Sequence, residues 1–176
     1  MLIVAIIAIV IAVAIIAVLV YAASKPDTFG IQRVASIVAP PEKIFPLIDD
    51  LRAHSSWSPF EKDPNMKRTH SGAIRGKGAV YEWEGNRQVG AGRIAITDST
   101  PSKVTMALDM LKPFAAHNTV EFTLEPKAGF TNVTWAMRGR QPLMAKVMST
   151  FIDCDKMVGS QFEDGLGKLK ALAEKA

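Results

Sequence analysis

The chain has 176 residues, 21 of them Lys or Arg and 17 Asp or Glu, for a net charge of +4. Its mean hydropathy is +0.14, yet no charged residue precedes Lys25, so the apolar excess lies in the first 23 positions and the remainder has an ordinary globular composition. That division excludes a wholly disordered chain and a multi-span membrane protein.

Leu2–Ala23 predicts a helix about 33 Å long at ~1.5 Å per residue, enough to cross a hydrocarbon core of ~30 Å. It is built of Ile, Val, Ala and Leu and has no polar face, which argues against a helix lying on a membrane surface. Tyr21 stands where an interfacial aromatic belongs, and Lys25-Pro26 ends the span. A cleaved signal peptide would want a basic start and a shorter apolar run; its cleavage site would be Val20-Tyr21-Ala22, and an uncleaved anchor is the preferred reading. Lys25 and Arg33 follow the span and nothing basic but the amino terminus precedes it, which favours a cytoplasmic domain. Cys154 is the single cysteine and cannot form an internal disulfide, in keeping with that side.

Behind the anchor (1–23), residues 24–29 read as a linker and 30–176 as one ligand-binding domain. Ile31–Ala39 alternates and is β-branched, a strand stopped by Pro40-Pro41. A helix starts at Pro41 and is kept short by Pro46. His54–Pro64, rich in Ser, Pro and aromatics, reads as a loop. From Lys67 to Arg140 strand follows strand. Ala79–Glu84 and Arg87–Thr97 flank Gly85-Asn86 as a two-residue hairpin turn. Lys103–Leu111, His117–Leu124 and Phe130–Arg138 each alternate apolar and polar, separated by Pro- and Gly-containing turns. Leu143–Glu174 then predicts one long helix. Phe151, Cys154, Val158, Phe162, Leu166, Leu169 and Leu172 recur on it at helical spacing and would cover the sheet's apolar face. Gly159, Gly165 and Gly167 imply close packing or a bend.

A two-residue turn pairs Glu84 with Arg87, Glu82 with Val89 and Tyr81 with Gly90. Tyr81, Trp83, Gly90, Gly92, Ile94 and Ile96 then share one inward face, where the glycines either open volume for a ligand or only permit curvature. Met106, Met110, Phe114, Phe122, Trp135, Met137, Phe151 and Phe162 would line the same interior; for each alone a packed core is the alternative. Trp57 and Phe60, aromatics in a Ser/Pro loop, read as a lid or mouth. His117 would reach the cavity rim.

Little catalytic chemistry is legible. Glu82 and Glu84 form a charge ladder with Arg87 and Arg93 on the outer face. His54, His70 and His117 are scattered, so no metal or cofactor is expected. Gly72–Gly78 lacks the spacing and the Ser/Thr of a phosphate loop. The basic run from Lys62 to Lys77 is broken by Asp63 and has no stacking aromatics, so nucleic acid is not the expected partner; attraction to anionic lipid headgroups is the simpler reading.

Arg33–Phe45 (RVASIVAPPEKIF), Trp57-Ser-Pro-Phe60, Tyr81–Asn86 (YEWEGN), Val89–Arg93 (VGAGR), Val133-Thr-Trp135 and Asp155–Gly159 through Gly165-Leu166 give the domain a resemblance to the START/SRPBCC superfamily, and within it to the polyketide cyclase/dehydrase family. That resemblance implies an α+β helix-grip fold: a curved antiparallel sheet of about seven strands around a long C-terminal helix, with two short helices after the first strand and, here, one N-terminal transmembrane helix in front. It also implies a small hydrophobic ligand, lipid- or polyketide-like, held between sheet and helix. A cyclase- or dehydratase-type enzyme acting in the same cavity, with Tyr81, Gln88 and His117 as its first candidates, and a membrane-tethered interaction module are the alternatives.

Overall fold

A computed structural model describes residues 1–175. The elements are α1 (Leu2–Ser24), β1 (Thr28–Ile37), α2 (Pro41–Asp49), a 3₁₀ turn (Ala53–Ser56), β2 (Lys67–Gly72), β3 (Ala79–Glu84), β4 (Ala91–Thr100), β5 (Lys103–Lys112), β6 (Ala116–Lys127), β7 (Phe130–Arg140), α3 (Leu143–Phe151) and α4 (Cys154–Ala173). The strands form one antiparallel sheet in the order β1-β7-β6-β5-β4-β3-β2. Only β1 leaves sequence order, returning beside β7, so the two ends of the domain are tied together. Irregularities in the β4–β5 pairing at Ala91/Gly92 and Ile96/Asp98 bend the sheet. α4 packs against β1 and β7 and is gripped by the sheet's concave face. The helix-grip fold is therefore present.

The alternation of each strand decides which side chains enter the core. Val104 and Met106 on β5, Val120, Phe122 and Leu124 on β6, and Val133 and Trp135 on β7 all face α4, which answers with Phe162, Leu166, Leu169 and Ala173. α2 opens with Pro at its first turn and closes the far end of the core with Ile44 and Ile48.

Two elements differ from the sequence expectation. The β3–β4 hairpin pairs Glu84 with Ala91, Trp83 with Gly92, Glu82 with Arg93 and Tyr81 with Ile94. Its loop is residues 85–90 rather than two residues. Asn86 Oδ1 accepts from the Gln88 and Val89 N–H groups, and the Gly85 N–H donates to Gly90 O at 2.8 Å, so the asparagine organises a wider turn. The slip relative to the expected register is four residues. Because that number is even, Gly92, Ile94 and Ile96 keep the inward face. The second difference is the break in the long C-terminal helix. Ile152 is extended, and Asp153 starts α4 anew by accepting from the Lys156 N–H at 2.9 Å.

Gly159 and Gly165 are close-packing positions. A Cβ on Gly165 would come within 2.7 Å of Trp135 Cζ3 and 2.9 Å of Pro59 Cδ, while one on Gly167 would meet nothing. Alanine gains ~1 kcal/mol over glycine in a helix interior, against ~1–3 kcal/mol for overpacking. Thermal melts are therefore expected to show Gly165→Ala destabilised and Gly167→Ala stabilised. Equal melting points would mean that α4 lifts from the sheet at no cost.

Candidate functional site

Between the sheet and the first turns of α4 lies a cavity of about 350 Å³. Ligand pockets run from ~300 to ~1,000 Å³, so this one suits a small molecule. Its sheet wall is Tyr81 and Trp83 from β3, Ile94 from β4, Met106, Leu108 and Met110 from β5, Val120 and Phe122 from β6, and Trp135 and Met137 from β7. α4 contributes Val158, Gln161 and Phe162. The chain between the 3₁₀ turn and β2 supplies Trp57, Phe60, Glu61, Lys62 and Met66, and the β3–β4 loop supplies Gln88 and Val89. All three tryptophans of the chain touch this space. Trp57, Trp135, Phe122 and Phe162 form its aromatic floor. The Trp135 and Phe162 rings are stacked with centroids 4.2 Å apart, and Trp57 meets Trp135 edge-on at 5.5 Å.

Ten residues singled out from the sequence are brought together here: Trp57, Phe60, Tyr81, Trp83, Met106, Met110, Phe122, Trp135, Met137 and Phe162. Five are not. Gly90 has φ +68°, and a Cβ there would lie 2.2 Å from Lys112 O, so it serves the turn. Gly92 opens no volume for a ligand, because the Trp83 indole occupies the space: a Cβ would be 2.5 Å from Trp83 Cζ2. Phe114, 72% exposed, sits in the β5–β6 connection beyond Pro113. His117 starts β6 on the outer face, where its Nδ1 lies 2.8 Å from Asp109 Oδ1, and does not reach the rim. Phe151 is on α3, on the far side of the helix break, and is exposed. Trp57 also differs from an exposed lid. It is 1% exposed and its Nε1 donates to Leu47 O at 2.9 Å, so it is a wall. Phe60, half-exposed beside Trp135, keeps the position of a mouth residue. Leu108 and Val120 could have been found from the same alternation that gave Met106 and Phe122. His54, Glu61 and Met66 come from loops, where no periodicity marks an inward side chain; Gln88, a candidate for the enzymatic alternative, does reach the lining, from the β3–β4 loop.

The polar groups are few and mostly engaged. Glu61 Oε1 accepts from the Tyr81 hydroxyl at 2.6 Å, and Arg68 grips Oε2 through Nε and Nη2, each at 2.8 Å. Burial first, and the Glu61 carboxylate second, push the Tyr81 hydroxyl above its ordinary pKa, so it is a neutral donor. Both Glu61 oxygens are thus engaged, which fixes the side chain between Tyr81 and Arg68. Glu84 pairs with Lys112 rather than Arg87, and Glu82 lies 3.9 Å from Arg93, both outside the cavity. Among the described residues no three His, Cys, Asp or Glu side chains converge to hold a metal ion. Among the described residues, two buried atoms of the lining have no protein partner: Trp135 Nε1 and Asn118 Oδ1.

His54 is buried, with Nε2 2.9 Å from Ile48 O, so the neutral ring donates from Nε2. Burial holds its pKa below the ordinary 6.5. The unfolded chain then binds a proton more readily than the folded one, and stability falls as pH drops through 6.5. His54→Gln, which keeps a donor, is expected to flatten that acid limb in melts between pH 7 and 5; an unchanged limb would assign it to other groups.

The cavity occupies the half of the sheet nearest the start of β1. Met137 pairs with Ile31, Asn118 with Gly139, and Met110 with Ala116. α4 begins at that end as well, where Arg33 binds Asp155 and Glu163. The mouth, near Lys62, Gln88, Val89 and Gln161, therefore lies toward the end of the domain from which α1 departs.

The family model described as polyketide cyclase / dehydrase and lipid transport matches residues 28–174. No curated protein matches the chain. Among solved structures it is similar to protein CV1439 from Chromobacterium violaceum, at 16% identity and a TM-score of 0.58, over 85% of this chain and 99% of that one. It is similar to the di-domain ARO/CYC StfQ from the steffimycin biosynthetic pathway at 10% identity and a TM-score of 0.63, over 84% of this chain and 51% of that one. It is also similar to Ara h 8.0201 at 13% identity and a TM-score of 0.55, over 83% and 95%. At these identities the likeness is one of fold.

Proposed function

The chain belongs to the polyketide cyclase/dehydrase and lipid transport family, and from that premise we propose that it is a membrane-anchored domain that binds a small hydrophobic ligand between its sheet and α4. The observation that carries this reading is the cavity itself: about 350 Å³ walled by Met, Leu, Val and aromatic side chains, with a polar rim at one end. Burying apolar surface there contributes ~25 cal/mol per Å², and the methionines adapt to an irregular outline.

α1 is 23 residues long and, by length and composition, able to cross a membrane. In the proposed arrangement it spans the bilayer once, with Lys25 and Arg33 keeping the domain on the cytoplasmic side. An enzymatic reading gains nothing from the site, since Glu61 is locked, Tyr81 stays protonated, and His117 faces away.

The test uses the full chain in amphipol with 1-N-phenylnaphthylamine, a small apolar fluorophore. Saturable energy transfer from tryptophan to the probe, at one probe per chain, is expected. A signal that never exceeds that of amphipol alone would overturn the proposal.

A further inference from the structure

α3 is turned outward for a helix of a water-exposed domain. Met144, Met148 and Phe151 recur at i, i+4 and i+7 and form one stripe that points away from the protein. Met144 and Phe151 are 71% and 72% exposed, with Leu143 and Ile152 exposed beside them. The opposite face carries Lys146, whose side chain is only 7% exposed and donates to Asp27 Oδ1 at 2.6 Å. In water an amphipathic helix places these faces the other way round.

The end of α1 holds α3 in this orientation. The two helices pack together, and Ala22 is the buried residue of α1. Lys25 Nζ donates to Ser149 Oγ at 3.2 Å, and Gln141 Nε2 to the same oxygen at 3.0 Å. One turn earlier, Tyr21 is exposed with the Lys25 ammonium 5.2 Å from its ring centroid. Aromatic and basic residues of this kind mark the headgroup level, so α3 lies at the height where α1 leaves the hydrocarbon. A second apolar point, Leu111 and Phe114, is exposed at the same end of the sheet. Both points lie at the end of the sheet and of α4 that the cavity occupies, since Val158 of the lining follows exposed Met157 and Met110 precedes Leu111.

We propose that α3 is an in-plane interfacial helix: its Met144–Met148–Phe151 stripe sits in the headgroup–acyl boundary of the bilayer that α1 crosses, and the cavity mouth faces that bilayer, so that the ligand is a membrane-resident amphiphile taken up from it. The inference rests on the anchoring reading above. Interfacial helices bury an apolar face ~5–10 Å into that boundary, and the outward stripe of α3, beside the end of α1, supplies such a face.

The experiment places a nitroxide on the full chain in lipid nanodiscs, in a Cys154→Ser background, at Met144→Cys, Phe151→Cys, Leu111→Cys, Ile11→Cys or Ser55→Cys in turn. Collisions with oxygen report lipid, and collisions with a water-soluble nickel chelate report solvent. Positions 144, 151 and 111 are expected to favour oxygen several-fold over position 55, and position 11 more strongly still. Solvent-like 144 and 151 with a lipid-like 11 would overturn this inference and leave the anchor standing. A solvent-like 11 would overturn the anchor and this inference with it. Labels at 144 and 151 shielded from both reagents would mean a protein partner covers the stripe, which also overturns it. A solvent-like 111 beside lipid-like 144 and 151 would turn the mouth away from the bilayer and overturn the entry route.

Discussion

Leu108→Trp is expected to abolish ligand binding and leave the fold standing. Leu108 is half-buried on β5, paired with Ile94 on one side and Asn118 on the other, and all three line the cavity. Overpacking a filled core costs ~1–3 kcal/mol because neighbours must move. Here the added atoms of the indole have empty volume to enter, so the stability cost falls at the low end of that range. The ligand loses that same volume. A drop in affinity of at least ~100-fold, about 2.7 kcal/mol, is expected by titration with the phenylnaphthylamine probe, with a melting point changed by only a few degrees. Unimpaired binding in a folded variant would place the ligand elsewhere.

Phe162→Ala should have the opposite profile, with stability lost first. Phe162 is 1% exposed and lies parallel to Trp135, at an interplanar angle of 6°, where α4 is gripped by β7. Truncating a buried phenylalanine costs ~3–5 kcal/mol. That is a large share of the ~5–15 kcal/mol by which a domain is stable, and corresponds to roughly 10 °C in melting temperature for a domain of this size. Phe151→Ala, on the outward stripe of α3, is the contrast and should cost less than ~0.5 kcal/mol in detergent. If the two variants melt together, the Trp135–Phe162 stack is not what holds α4 to the sheet.

Legibility from sequence follows the strength of periodicity. β5, β6 and β7 alternate cleanly, and Met106, Phe122 and Trp135 fall where alternation puts them. The β3–β4 register was lost because Gly85-Asn86 carries the signature of a tight turn, whereas the Asn86 side chain and its bond to Asp63 build a wider one; the Asn86 N–H donates to Asp63 Oδ2 at 2.8 Å. Parity rescued the inward face, though not the role of the glycines. Gly92 is small because Trp83 lies on it, a contact between neighbouring strands that only the true register brings together. The C-terminal segment read as one helix because its apolar spacing continues through Ile152. The start signal at Asp153 is local and weak beside that pattern, and it is this break that leaves Phe151 outside the cavity. Phe114 was misplaced for a similar reason: Pro113 ends the alternation one residue before it. His54 and Glu61 were beyond reach, because their inward orientation depends on α2 and Arg68 rather than on their neighbours in sequence.

In the proposed function, the space between sheet and α4 holds a hydrophobic molecule. Native mass spectrometry of the full chain released from nanodiscs tests it most directly, with Leu108→Trp prepared in parallel. The native chain is expected to carry one small-molecule adduct of defined mass that survives activation stripping loosely bound lipid, and the variant is expected to lose it. A native chain free of adduct, or an adduct equally abundant on Leu108→Trp, would contradict it.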